Sequence, residues 1–227
     1  MSRSCVRAVV DVGLVFHVRR ITPGDAERLR DVRLAALADA PGSFWQTLAA
    51  ESARPDADWR ARASRNSAGD AHATFLLEQD DTTAGGSVPA SDSTPTGDSA
   101  STGDSASTGM VDVYRPSRAP EFRELAAMWV APAARGTGAA DALLDAAVNW
   151  ARAVGAIGLR LWVVPTNTAA VRLYARHGFE RAGDPELDTD DGAGKSYMPM
   201  LLALDEKAAA SPTFVTRALA PWTDEST

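Results

Sequence analysis

The chain has 227 residues with a formal net charge of −7 and one cysteine, enough length for one well-buried core. Five carboxylates, Asp80, Asp81, Asp92, Asp98 and Asp104, fall in one stretch without Lys or Arg. Without them the charge is −2, which excludes a general nucleic-acid surface and says nothing of substrate charge. Cys5 has no partner for an internal disulfide, which suits a reducing cytoplasm, and no apolar run reaches the ~18–20 residues that span a bilayer.

Val6–Phe16 is apolar but broken by Arg7 and Asp11. No small-x-small cleavage site follows before His17-Val18-Arg19-Arg20, so it reads as an extension of the first strand or as a stretch translated upstream of the natural start, not as a signal. Val15–Ile21 is the first strand. Thr22-Pro23 opens a helix, with a capping hydroxyl and a proline at the first position, and Leu29, Val32, Ala36 and Leu37 form its buried stripe. Ala40-Pro41-Gly42 breaks it, and Phe44–Ala53 and Asp58–Ala63 read as two short helical pieces.

His72–Gln79 and Gly109–Arg115 are the next strands, and between them lies Asp80–Thr108. There Thr-Gly-Asp-Ser-Ala-Ser occurs twice in tandem, with no aromatic residue and only Val88 as a large aliphatic. Such a segment cannot offset its ordering entropy by burial and is expected to be disordered. Glu124–Ala131 follows as a strand. Leu143, Leu144, Ala147, Val148, Ala151 and Val154 then recur at helical spacing, and Leu159–Val164 is an apolar strand ended by Pro165. A short helix from Asn167 stops at Gly178, Phe179–Ala182 and Ser196–Leu204 complete the strands, and the tail Glu206–Thr227 is polar, with Phe214, Leu219 and Trp222 as its docking candidates.

Two segments carry chemistry. Arg135-Gly136-Thr137-Gly138-Ala139-Ala140 joins a strand to an amphipathic helix. Glycines let backbone N–H groups approach an anion, and the helix N-terminus adds partial positive charge. Downstream comes Asn167-x-x-Ala170-x-x-Leu173-Tyr174-x-x-x-Gly178-Phe179. The R-x-x-G-x-A-like loop followed by N-x-x-A-x-x-L-Y-x-x-x-G-F resembles the GNAT superfamily of acyl-CoA-dependent N-acetyltransferases, over roughly Phe16 to Asp205.

The resemblance implies an α/β (α+β) fold: a mixed, mainly antiparallel central sheet with its fourth and fifth strands splayed, and helices on both faces. Residues 16–205 would form the acetyltransferase domain, with 1–15 an extension, 80–108 an insertion in a hairpin turn and 206–227 a tail. Lengthening that turn from about four to about thirty residues costs only about 2 kcal/mol of closure entropy.

Acetyl-CoA is the implied acyl donor, with no metal. By resemblance, the main chain of Met128 and Val130 holds the pantetheine arm, and Arg135, Gly136, Thr137, Gly138, Ala139 and Ala140 wrap the pyrophosphate. Arg135 either contacts phosphate or caps the loop. Asn167 bonds the cofactor arm, caps the helix, or does both. Tyr174 matches the general acid, against a plain core tyrosine. Glu124 matches a glutamate that deprotonates the amine, against an exposed strand carboxylate.

The implied partner is a small-molecule amine or a protein amine, with neither nucleic acid nor membrane, and a homodimer is compatible. Pro41–Glu51, including Phe44 and Trp45, and Asp188–Asp191 are candidates to line the acceptor pocket. Two other readings stand beside this one: a catalytically idle acyl-CoA-binding module, and an interaction protein that uses the acidic insertion.

Overall fold

The computed structural model describes residues 6–9, 15–79, 107–187 and 194–219. In chain order the strands are β1 (Val6–Val9), β2 (Val15–Arg20), β3 (His72–Gln79), β4 (Ser107–Tyr114), β5 (Phe122–Val130), β6 (Gly158–Val163), β7 (Glu180–Arg181), β8 (Glu186–Leu187) and β9 (Ser196–Ala203). The helices are α1 (Ala26–Asp39), α2 (Leu48–Ser52), α3 (Asp56–Ser67), α4 (Ala139–Ala153), α5 (Thr168–Arg176), α6 (Glu206–Ala209) and α7 (Phe214–Ala218). They build one open sheet in the order β1-β2-β3-β4-β5-β6-β9-β7, with β8 on β9. β5 and β6 are parallel, and every other pairing is antiparallel. The mixed α/β architecture expected from the sequence is therefore present.

Strand alternation sorts the side chains onto two faces. On one, Phe75 and Leu77 of β3, Val111 and Val113 of β4 and Leu159, Leu161 and Val163 of β6 pack on Leu143, Leu144 and Ala147 of α4 and Leu173 of α5. On the other, Leu76, Met110 and Trp129 meet Leu29, Val32, Ala36 and Leu37 of α1 and Trp59 and Ala63 of α3. The stripe read from the α1 sequence is the one that is buried.

The start of α1 is fixed by charge. Asp25 accepts from the Thr22 backbone N–H at 2.7 Å and from its hydroxyl at 2.6 Å. Arg19 grips both Asp25 oxygens at 2.7 Å and also reaches Glu78 of β3 at 2.7 and 3.0 Å. One guanidinium thereby ties β2, β3 and the helix entry together.

Several boundaries differ from the sequence reading. Val6–Val9, read as an extension, pairs with β2 from Val6↔Val18 to Val9↔Val15. Ser107 and Thr108, read as linker, already belong to β4, whereas 80–106 lie outside the described residues. Phe44–Thr47 are not helical; α2 starts at Leu48, where the Thr47 hydroxyl accepts from the Ala50 N–H. The tail docks through Phe214 and Ala218, which are buried against Ala119, Phe122 and Leu201; Trp222 lies outside the described residues. Among the described residues no helix is long and apolar enough to cross a membrane.

Candidate active site

The central feature is a parting of strands. β5 and β6 pair only at Phe122↔Gly158, Arg123↔Leu159 and Glu124↔Arg160. Beyond that point β6 stays with β9 through Val163↔Met198, and β5 stays with β4 through Gly109↔Val130. The β5–β4 register shifts by one residue between Met110↔Trp129 and Asp112↔Ala126, and Ala127 takes φ 52°. That is a β-bulge: an extra residue bends β5 away from β6 and leaves β6-facing main-chain groups of β5 without a ladder partner. Met128 and Val130 lie on this departing segment.

The glycine loop continues from its end. A 3-10 turn, Pro132–Ala134, leads into Arg135; Gly136 and Gly138 have φ 77° and 83°, and α4 begins at Ala139. A side chain at either φ would be strained, so the glycines allow the turn that aims successive N–H groups one way. The first N–H groups of α4 have no intrahelical acceptor by construction. The acidic side chain of its first turn, Asp141, is drawn to Arg176 at 2.9 Å. Ala139 and Ala140 are helical, so their share in an anion site is backbone N–H, and the donor set fits a pyrophosphate. Thr137 donates to the Ala134 carbonyl at 2.6 Å, which braces the loop. Arg135 is committed elsewhere: its Nε donates to the Val130 carbonyl at 3.0 Å, and Nη2 meets the Asp39 carboxylate at the end of α1.

Across the opening, α5 carries Asn167 and Tyr174. The Asn167 Oδ1 caps the helix by accepting from the Ala170 N–H at 3.2 Å, and its amide nitrogen remains the group that can donate to a ligand. Tyr174 is buried beside Phe179, ring centroids 5.7 Å apart. Burial pushes its phenol above the ordinary value, so the proton stays on oxygen at neutral pH.

Glu124 is not an exposed carboxylate. It is 2% exposed and sits where the strands part. Oε2 receives Arg160 Nε at 3.0 Å and Nη2 at 2.9 Å, and Oε1 accepts from the Tyr114 hydroxyl. Burial pushes the carboxyl upward against the pull of Arg160 and Tyr114. Both oxygens are occupied by residues of the chain.

The face above β5 belongs to α1–α3 and the segment between α1 and α2. Phe44 is buried there, and Trp45 meets Tyr197 of β9 edge-on at 5.4 Å. Lys195 holds this segment by donating to the Phe44 carbonyl at 2.9 Å. Asp188–Asp191 lie outside the described residues.

Sequence reading missed the charged layer beneath. Asp112 accepts from Arg62 at 2.6 Å and from Thr74 at 2.5 Å, while Asn66 donates to Thr74 at 2.8 Å. Buried Glu51 meets Arg54 at 3.1 Å and Arg62 at 3.4 Å. A charge isolated in an apolar strand, Asp112 in Met110–Tyr114 and Arg160 in Leu159–Val163, was the available signal.

A strand pair that opens past three residues, with a glycine turn and a helix end at its mouth, is the central arrangement of this α/β fold. The Acetyltransferase (GNAT) family model matches residues 36–179, more than half the sequence, and the chain belongs to that family.

Solved structures show the same fold. yncA from Salmonella typhimurium, solved with its cofactor acetyl-CoA, is 18% identical with TM-score 0.60, covering 84% of this chain and 95% of that one. Ribosomal-protein-S5-alanine acetyltransferase from Vibrio fischeri is 13% identical with TM-score 0.64, covering 88% and 98%. Spermidine N-acetyltransferase from Vibrio cholerae, solved with CoA and spermine, is 14% identical with TM-score 0.59, covering 83% and 95%. A search of curated proteins returns no match.

Proposed function

We propose that the chain is an N-acetyltransferase that moves an acetyl group from acetyl-CoA directly to a primary amine of a small molecule or protein. The observation that carries this reading is the parting of β5 from β6 immediately beyond Glu124, with the glycine loop at the far end of β5. Acetyl-CoA would supply the activated acetyl thioester. The main chain of Met128 and Val130 would hold its arm as an added strand does, with the Asn167 amide as a further donor. The N–H groups of Gly136, Thr137, Gly138, Ala139 and Ala140 would hold its pyrophosphate, on a loop that Arg135 and Thr137 brace.

Tyr174 would act as the general acid: its hydroxyl carries its proton at neutral pH as any phenol does, and burial, by raising the pKa, makes it give up that proton less readily. Glu124 enters this reading differently from its motif position. With both oxygens engaged by Arg160 and Tyr114, it fixes the point where the strands part rather than taking a proton from the amine. The acceptor would approach from the α1–α3 face, where Phe44 and Trp45 stand.

The test has two readouts. Acetyl-CoA should raise the melting temperature of the full chain by mass action, and thiol release from it should depend on an added amine. No thermal shift overturns the cofactor reading. A shift without thiol release across a broad amine panel leaves a binding module instead of an enzyme.

A further inference from the structure

Arg33 projects from α1 into the layer beneath the α1–α2 segment and is 5% exposed. Its Nε and Nη1 are buried without a hydrogen-bond partner. Glu51 forms an ion pair with Arg33, 3.7 Å from Nε, too long to satisfy the Nε–H as a hydrogen bond, and Glu51 is also bonded by Arg54 and Arg62. Asp112 likewise is taken by Arg62 and Thr74. One face of the guanidinium is covered by the Phe44 ring, 5.0 Å to its centroid. Burial and the nearby Arg62 cation pull the pKa of Arg33 down, against the opposing pull of Asp112 and Glu51. A buried cation with unmet donors is costly and is relieved by an anion that brings oxygens to it.

The position relates this cation to the acceptor. Phe44 shares an apolar cluster with Trp129, the β5 residue just past the bulge where the strands part, and with Leu37 of α1. The segment whose ring covers Arg33 thus belongs to the same apolar cluster as the far end of β5.

We propose that Arg33 is a specificity residue that binds a carboxylate of the acceptor, so that the preferred substrates are amino carboxylic acids rather than simple amines. The planar guanidinium fork matches a carboxylate, which a lysine cannot reproduce. Phe44 must yield for the acid to enter, and the loop that carries it acts as the gate. The inference rests on the acetyltransferase reading above for where the amine sits.

The experiment compares L-amino acids with their carboxamides and with the decarboxylated amines, on the full chain with acetyl-CoA. The wild type should favour the acids in kcat/KM by at least about tenfold, because a site built to bond a group rejects the analogue lacking it. Arg33→Gln should bring the ratio close to one, and Arg33→Lys should keep only part of it. The same acids should raise the wild-type melting temperature and fail to raise that of Arg33→Gln.

A wild-type ratio near one, or a ratio that survives in Arg33→Gln, overturns the proposal whatever happens to the acetyltransferase reading. The acid's thermal shift, present in wild type and absent in Arg33→Gln without any turnover, would uphold Arg33 while sinking that reading. A variant that does not fold leaves the wild-type ratio and Arg33→Lys to decide.

Discussion

The two sides of the strand opening are built from different materials. On the proposed donor side, from the β5 bulge through the glycine loop to the start of α4, the groups offered are backbone N–H and C=O, and the side chains of Thr137 and Arg135 brace the loop. On the proposed acceptor side, between α1–α3 and the sheet, the groups are side chains in a polar network of Glu51, Arg62, Asp112 and Thr74, with Arg33 beside it. A backbone site depends on φ and ψ and tolerates many side chains outside its glycines. A side-chain site changes its ligand with each substitution.

The contrast predicts that the donor side breaks at its glycines. Gly138→Val places a β-branched residue at φ 83° directly before α4. It should abolish the thermal shift with acetyl-CoA altogether. Binding as tight as wild type in a calorimetric titration would remove the loop from the site.

Tyr174→Phe should come next. It keeps the ring against Phe179 and removes only the hydroxyl, so acetyl-CoA should still bind while turnover falls by roughly 100-fold. An unchanged rate, measured by rapid quench where chemistry limits, would leave the ring a packing role alone.

On the side-chain half the largest loss should be stability. Arg160→Met strands the Glu124 carboxylate, 2% exposed, and should cost about 3 kcal/mol. Adding Glu124→Gln should recover much of it in denaturant titration. Failure to recover would mean that the pair does not act as a unit.

The smallest effect should be at the far edge. Burial disfavours the Asp25 carboxylate, but Arg19 and Thr22 outweigh it and hold its pKa well below the usual range. A depressed carboxylate contributes stability above its unfolded pKa and loses it as pH falls through the folded one. Wild type should thus lose melting temperature below about pH 4. Asp25→Asn should be less stable by about 2 kcal/mol at neutral pH and flatter toward acid. Parallel pH curves for the two proteins would remove Asp25 as a source of this dependence.

The same division explains what the sequence made legible. The strand–loop–helix order, the α1 stripe and the stop at Gly178 could be read because backbone demands leave local marks: glycines at positive φ, helical spacing, a proline after a strand. The tail helix α7 was less legible because its anchors are distant in sequence: Phe214 and Ala218 cluster with Ala119 and Phe122, about ninety positions away, and Arg217 pairs with Glu121. The engagement of Glu124 could not be read at all, because Tyr114 and Arg160 reach it only once three strands lie side by side. Arg33 looked like one more charge on a helix, since nothing in its neighbourhood says that α2 and Phe44 will close over it.

Asp39 stands where the two halves touch. Its Oδ2 accepts from the Trp129 indole at 2.9 Å and from Arg135 of the glycine loop, while the next residues of its own chain lead to Phe44 and Trp45. One oxygen thus answers to β5 and to the glycine loop at once. Losing Asp39 leaves two donors wanting, and losing either donor releases the carboxylate to the other. Trp129, Arg135 and Asp39 thus tie the end of α1 to β5 and to the glycine loop through a single carboxylate, so a change at Asp39 is felt on both at once.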